Sequence, residues 1–171
     1  MVKGNEMNLK RVLLHLSSGR ATVRRALPRT ALDAIERAIR TTEMLHGGQI
    51  RFAVEAGLDL MPLLAGQSAR ERAVQVFSQL GIWDTEHNNG VLIYLLLADR
   101  DVEIVADRGV NAKLSKETWE QICHKMEAAF REGKFEQGVI AGIHSVSQLL
   151  AQHYPATGIK GNELADKPVE L

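Results

Sequence analysis

One unbroken apolar run, Val91-Leu92-Ile93-Tyr94-Leu95-Leu96-Leu97, stands at the middle of the chain. It is far shorter than the roughly 20 residues that span a bilayer, and its branched side chains suit a strand covered on both faces. The polar stretch Ala98–Asp101 follows, and Val102–Asp107 then alternates in part, so the pair reads as an antiparallel hairpin. Upstream, Ile50, Phe52, Val54 and Ala56 alternate with Arg51, Ala53 and Glu55, which predicts a strand with two unlike faces.

The intervening pattern is helical. Thr30 and Asp33 have the spacing of a capping box, with Leu32, Ile35, Ile39 and Leu45 on one face and Gly47-Gly48 as the stop. Residues 57–66 read as a loop around Pro62, held down by its leucines. Ser68 and Glu71 form a second box, ahead of Ala73, Val76, Phe77 and Leu80. Ser115 caps a helix carrying Trp119, Ile122, Cys123, Met126 and Phe130 in a clean i, i+3, i+4 stripe. A last helix over 135–154 presents Val139, Ile143, Val146 and Leu150. Its Gly138 and Gly142 cost helix propensity, so they predict close approach to a neighbouring backbone. A strand, a helix and a strand make a right-handed crossover with parallel strands, to which the hairpin adds an antiparallel one. The fold class is therefore α/β, a three-layer α/β/α sandwich with a central mixed β-sheet.

Charge divides the chain unevenly. Its net charge is zero, yet residues 1–29 carry seven Lys and Arg against Glu6 alone, so this segment is +6 and the remainder −6. We read residues 1–29 as a basic arm with a short helix at about 8–16 and an Arg-rich linker to Pro28. Residues 30–155 form the α/β/α domain, and 156–171 a flexible tail without apolar period. The arm suits an anionic membrane surface or another protein, or lies against its own acidic domain. No nucleic-acid motif accompanies it, nothing fixes an oligomeric state, and the sandwich is expected to close without it. The stretch Val12–Leu16 is too short and interrupted for an export signal, and the single Cys123 sits among apolar helix positions as a small hydrophobe. The expected location is cytoplasmic.

Candidate chemistry is sparse. Asp99-Arg100-Asp101 after an apolar strand has the look of an aspartate-nucleophile phosphatase motif, but Glu103 occupies the Thr/Val position and the chain turns straight back, as in a hairpin turn. The six histidines lack zinc spacing, and there is no nucleophile elbow, phosphate loop or Rossmann glycine triplet. What remains is topology. With the first two strands parallel and the third antiparallel, Glu55, Asp59, Asp99 and Asp101 gather at one end of the sheet. His46, Asn88, Asn89, Asp107, Arg108 and Asn111 gather at the other, with Arg108 in reach of His87 or Asp84. Oxygen-rich clusters of either kind suit calcium or magnesium.

The blocks Gln49–Val54, Ala73–Ile82 and Asn89–Val110 resemble, in order and spacing, successive blocks of the TPM domain family, which includes thylakoid-lumen and photosystem II repair proteins and bacterial relatives. The resemblance spans roughly residues 30–154 and is similar to a cytoplasmic bacterial-type branch. It implies an α/β/α sandwich, a phosphatase label with weak acid phosphatase activity, and calcium binding in some members. Two family acids are replaced here, by Asn111 and Lys116, while Asp107 restores one carboxylate. The expected function is a binding module for an unassigned ligand, through His46, Asp84, His87, Asn89, Asp107, Arg108 and Asn111. The alternative is a metal-assisted hydrolase with calcium or magnesium on Asp107 and Asn111, or on Glu55, Asp59, Asp99 and Asp101.

Overall fold

The computed structural model describes residues 9–156 and 161–171. Among them, β1 (Gln49–Glu55) and β2 (Gly90–Leu96) run parallel in register, with Ile50 opposite Val91 and Glu55 opposite Leu96. β3 (Asp101–Ala106) folds back antiparallel to β2, pairing Val91 with Ala106 and Leu96 with Asp101. Alternation along β1 and continuous apolarity along β2 thus yield the mixed sheet that the pattern implies, with strand order β3-β2-β1-β4, β4 being Val169–Glu170.

Both faces are covered. Ile50, Phe52, Val54, Val91, Ile93 and Leu95 turn to one side. They pack against α3 (Arg29–Glu43), α7 (Lys116–Arg131) and α8 (Phe135–His153). Ala53, Leu92, Tyr94 and Leu96 turn to the other, against α5 (Ala69–Gln79) and the leucines before it. This is a helix–sheet–helix sandwich. Ser68 and Glu71 form the reciprocal box that opens α5, and Ser115 caps α7. The glycines of α8 meet side chains and not a backbone: a Cβ on Gly138 would strike the Phe130 ring, and one on Gly142 the Met126 thioether.

Several local expectations are corrected. The Arg-rich stretch read as a linker is helical, α2 (Arg20–Ala26), because Val23, Leu27 and Ala31, spaced by one turn each, are buried in the main core. It follows α1 (Leu9–Ser17), whose His15 is also buried. α3 starts at Arg29 with Pro28 at its N-cap, so Thr30 and Asp33 lie inside the helix and do not box its end. Residues 60–64 form a short helix, α4 (Leu60–Leu64). The tail contributes β4 (Val169–Glu170), parallel to β1, with Arg51 Nη1 donating to the Ala165 and Lys167 carbonyls. Residues 1–8 of the basic arm lie outside the described residues.

At the β3 edge two backbone carbonyls already have side-chain partners, that of Ile104 accepting from Arg70 Nη1 at 2.6 Å and that of Ala106 from Asn111 Nδ2 at 2.6 Å, which blunts the edge for further strands.

Candidate functional site

The two sheet ends differ in what they do with their carboxylates. At the hairpin end, Glu55 accepts two bonds from Arg72, at 2.8 and 2.9 Å, and one from the Tyr94 hydroxyl at 2.5 Å. Burial and the Glu55 charge push the Tyr94 phenol well up. Asp99 accepts from Arg11 Nη2 and His15 Nε2, each at 2.9 Å. Burial opposes ionisation of Asp99, but these two donors together hold its carboxyl below the ordinary range. Asp59 sits exposed at the start of α4. Of the four carboxylates predicted to gather here, Glu55 and Asp99 are thus taken by separate partners, Arg72 with Tyr94 and Arg11 with His15, and Asp59 stays at the surface.

Asp101 lines a cleft with Glu103 and Glu127. Burial first, then these carboxylates and Asp99, push its carboxyl up to about 6. The unfolded carboxyl titrates near 3.8, so the folded chain holds the proton more tightly and loses stability as pH rises through that window. Asp101→Asn is therefore expected to stabilise at neutral pH by about 1–2 kcal/mol, after discounting for solvent screening, and to have no such effect below the window. Urea midpoints of both proteins below and above it check this.

The other end is built differently. Asn89 is fully buried immediately before β2: its N–H donates to Thr85 Oγ1 at 3.1 Å and its Nδ2 to the Gly47 carbonyl at 2.7 Å. Asn88 before it takes a left-handed conformation (φ 50°), which Asn tolerates better than most residues, and its Oδ1 accepts from Arg108 Nε at 3.1 Å. Asp107 N–H donates to the Gly90 carbonyl at 2.9 Å, extending the β2–β3 ladder by one rung, and Asp107 Oδ1 accepts from Arg108 N–H at 2.7 Å. This caps the short turn α6 (Arg108–Asn111). The loop before β2 and the turn after β3 are pressed together at Gly109, where any Cβ would meet the Asn88 carbonyl.

Two acceptors in this cluster have no partner among the described residues: Asn89 Oδ1 and Asp107 Oδ2, both buried. Tyr154 stands beside them. Burial, and secondarily the Asp107 charge, raise its phenol pKa, while Lys113 Nζ lies 4.0 Å above its ring. A cleft of about 550 Å³ opens beside Asn89, lined also by Gly47, His87, His153, Tyr154 and Glu163; Asp107 is not part of its wall.

The topology thus brings together Asn89, Asp107 and Arg108, with His46 adjoining in the turn, where its Nδ1 accepts Gly48 N–H at 3.1 Å. His87 is on the cleft rim and Asp84 is exposed. Arg108 bonds Asn88, not His87 or Asp84. Asn111 turns its amide to the Ala106 carbonyl, and Lys116 pairs with Glu120 on the surface at 3.1 Å. Thr85, Tyr154 and Glu163 were not legible as site residues. Only the end of the last predicted helix at residue 154 marked that corner.

Calcium takes six to eight oxygen ligands. Asn89 Oδ1 and Asp107 Oδ2 supply two, Asp107 Oδ1 is engaged by its helix cap, and no three His, Cys, Asp or Glu side chains gather to hold a metal among the described residues. This donor set does not fit a dedicated calcium centre. Two buried oxygens suit a ligand that brings its own N–H donors.

A mixed sheet of this order under two helical layers, with its polar cluster where two loops meet at one sheet end, defines an α/β domain of a type already seen in solution structures. One is the BA42 protein from the psychrophilic bacterium Bizionia argentinensis, 29% identical, with a TM-score of 0.70 over 83% of this chain and 93% of that one. Another is the N-terminal domain of a P. gingivalis protein, which shares the fold at 18% identity and a TM-score of 0.59, over 77% of this chain and 82% of its own. No curated protein matches. The family model for the TPM domain matches residues 24–149, and the chain belongs to that family.

Proposed function

We propose that this TPM domain is a binding module that performs no chemistry of its own, and that its ligand is a protein or peptide segment seated at the Asn89/Asp107 end of the sheet. The observation that carries this reading is the pair of buried acceptors, Asn89 Oδ1 and Asp107 Oδ2, without partners among the described residues. An unmet buried acceptor costs about 1–3 kcal/mol, which a ligand N–H or ammonium group would recover. Peptide N–H groups, lysine and arginine are the chemistry that supplies such donors beside a carboxylate. A cytoplasmic, bacterial-type member of the family belongs to the same proposal, with which the single buried free thiol, Cys123, is compatible.

The hydrolase alternative rests on the family resemblance alone and would need a nucleophile or metal-activated water at this end. Two measurements separate the readings. Calorimetric titration with calcium and magnesium is expected to give no heat that Asp107→Asn removes, and p-nitrophenyl phosphate is expected to turn over no faster with wild type than with Asp107→Ala. Metal-stimulated turnover lost in Asp107→Ala would overturn the binding-module reading.

A further inference from the structure

At the hairpin end, α1 is held in a fixed rotation. His15 is buried; its Nδ1 accepts Leu58 N–H at 2.9 Å, which leaves the ring proton on Nε2 to donate to Asp99. Arg11 grips the same carboxylate. With Arg11 and His15 turned inward, the opposite side of the helix is offered outward. Leu9, Leu13 and Leu16 fall there within about 60° of arc at 100° per residue, and are 64%, 60% and 57% exposed. Val12, at the border of this stripe, packs with Leu58 and Leu63 of the second core. The adjoining α4 also turns apolar groups outward, Leu60, Leu64 and a 74% exposed Met61. An apolar surface therefore continues from α1 onto α4.

The segment that carries it is cationic: Arg25 shares a hollow with Leu14 of α1 and Arg100, while Arg24 shares one with Asp33, Glu36 and Glu170. Residues 9–27 hold Lys10, Arg11, Arg20, Arg24 and Arg25 and no carboxylate. Of these, Arg11 is matched by Asp99, and Lys10, Arg20, Arg24 and Arg25 are exposed. Asp59, at the start of α4, is the acid beside the patch in sequence.

We infer that this face docks on an anionic lipid bilayer, with α1 lying in the interface plane, its leucines entering the acyl boundary, and Lys10, Arg20 and Arg25 meeting the headgroups. Pairing of two copies through the same face would set these cations against one another, so charge complementarity selects the lipid surface over self-association. Among the described residues no helix is long and apolar enough to cross a membrane, and this attachment needs none. It also sets an orientation. The patch adjoins the end of β2 and the Asn89/Asp107 site its start, about 20 Å away at roughly 3.3 Å per residue. A docked domain holds its candidate site away from the bilayer.

The test is flotation of the full chain with vesicles of phosphatidylcholine alone and of an equimolar phosphatidylcholine–phosphatidylserine mixture. Binding is expected on the mixed vesicles only, falling steeply with added salt. Leu13→Glu with Leu16→Glu is expected to lower the partition coefficient by at least about tenfold, and Arg20→Glu with Arg25→Glu by a similar factor, both at an unchanged melting temperature. Should the leucine variant unfold, the charge-reversal variant decides, since its substituted side chains are exposed. No binding to mixed vesicles, or unchanged binding in the charge-reversal variant, overturns the inference. So does a dimer in sedimentation velocity that Leu13→Glu dissolves, which would make a second copy the occupant.

Discussion

Removal of residues 1–27 is expected to unfold the protein. The sequence pattern suggests a detachable arm, but Val23 and Leu27 are 2% and 0% exposed within the main core. Burying such side chains contributes about 1.5–3 kcal/mol each. The deletion also takes away His15 and Arg11, which leaves the Leu58 N–H and the Asp99 carboxylate without their partners. Abandoned buried polar groups add roughly 1–3 kcal/mol apiece. The sum, about 5 kcal/mol or more, is comparable to the whole stability of a typical domain. Thermal unfolding followed by circular dichroism should show a fall of at least about 10 °C or no cooperative transition, given about 2–4 °C per kcal/mol at this size. A truncated protein melting within a few degrees of the full chain would mean that α1 and α2 are appendages.

Gly90→Ala should be costly for a different reason. Gly90 opens β2 with no room on its side-chain side: a Cβ would overlap the Ile82 carbonyl oxygen and lie 2.8 Å from Ile82 Cγ2. A backbone oxygen cannot swing aside as a flexible side chain does. Either the loop over 82–89 moves or β2 shifts against its neighbours, and overpacking of this kind costs typically 1–3 kcal/mol. With both strand partners fixed, about 3 kcal/mol is expected, or about 10 °C in melting temperature. The same shift pulls Asn89 from the Gly47 carbonyl and Asp107 from Gly90, so amide signals of residues 47, 89 and 107 should move with it. Gly142→Ala offers the contrast, because the group it meets is the flexible Met126 side chain and the expected loss is smaller.

Much of this fold was legible because the patterns are strong and local. Val91–Leu97 needs two covered faces, and Ile50–Ala56 has two unlike faces, both of which the structure covers. The tight turn at 98–101 leaves little choice of direction for β3, and that register alone puts Asn89 beside Asp107. α2 was harder, since its buried residues, Val23 and Leu27, stand among four arginines, and composition masked the one-turn spacing. β4 escaped because two residues carry no period; it exists through the partners that β1 and Arg51 supply. At the candidate site, Asn88-Asn89-Gly90 reads as turn chemistry. The left-handed residue is Asn88, and Gly90 is required by close approach to Ile82. Tyr154 arrives from a helix end far along the chain, a contact that no local pattern encodes. Arg108 finds Asn88 where reach alone equally allowed His87 or Asp84.

The claim that the Asn89/Asp107 end of the sheet receives a donor-bearing ligand is tested most directly by amide-resolved NMR of the full chain. The probes are N-acetyl-lysine amide and N-acetyl-arginine amide, titrated into wild type and Asp107→Asn. The account predicts saturable shifts confined to Gly47, Asn88–Gly90 and Asp107–Gly109, absent in the variant. Shifts that cluster instead along the acidic face of Asp101, Glu103 and Glu127, or that persist unchanged in Asp107→Asn, would contradict it.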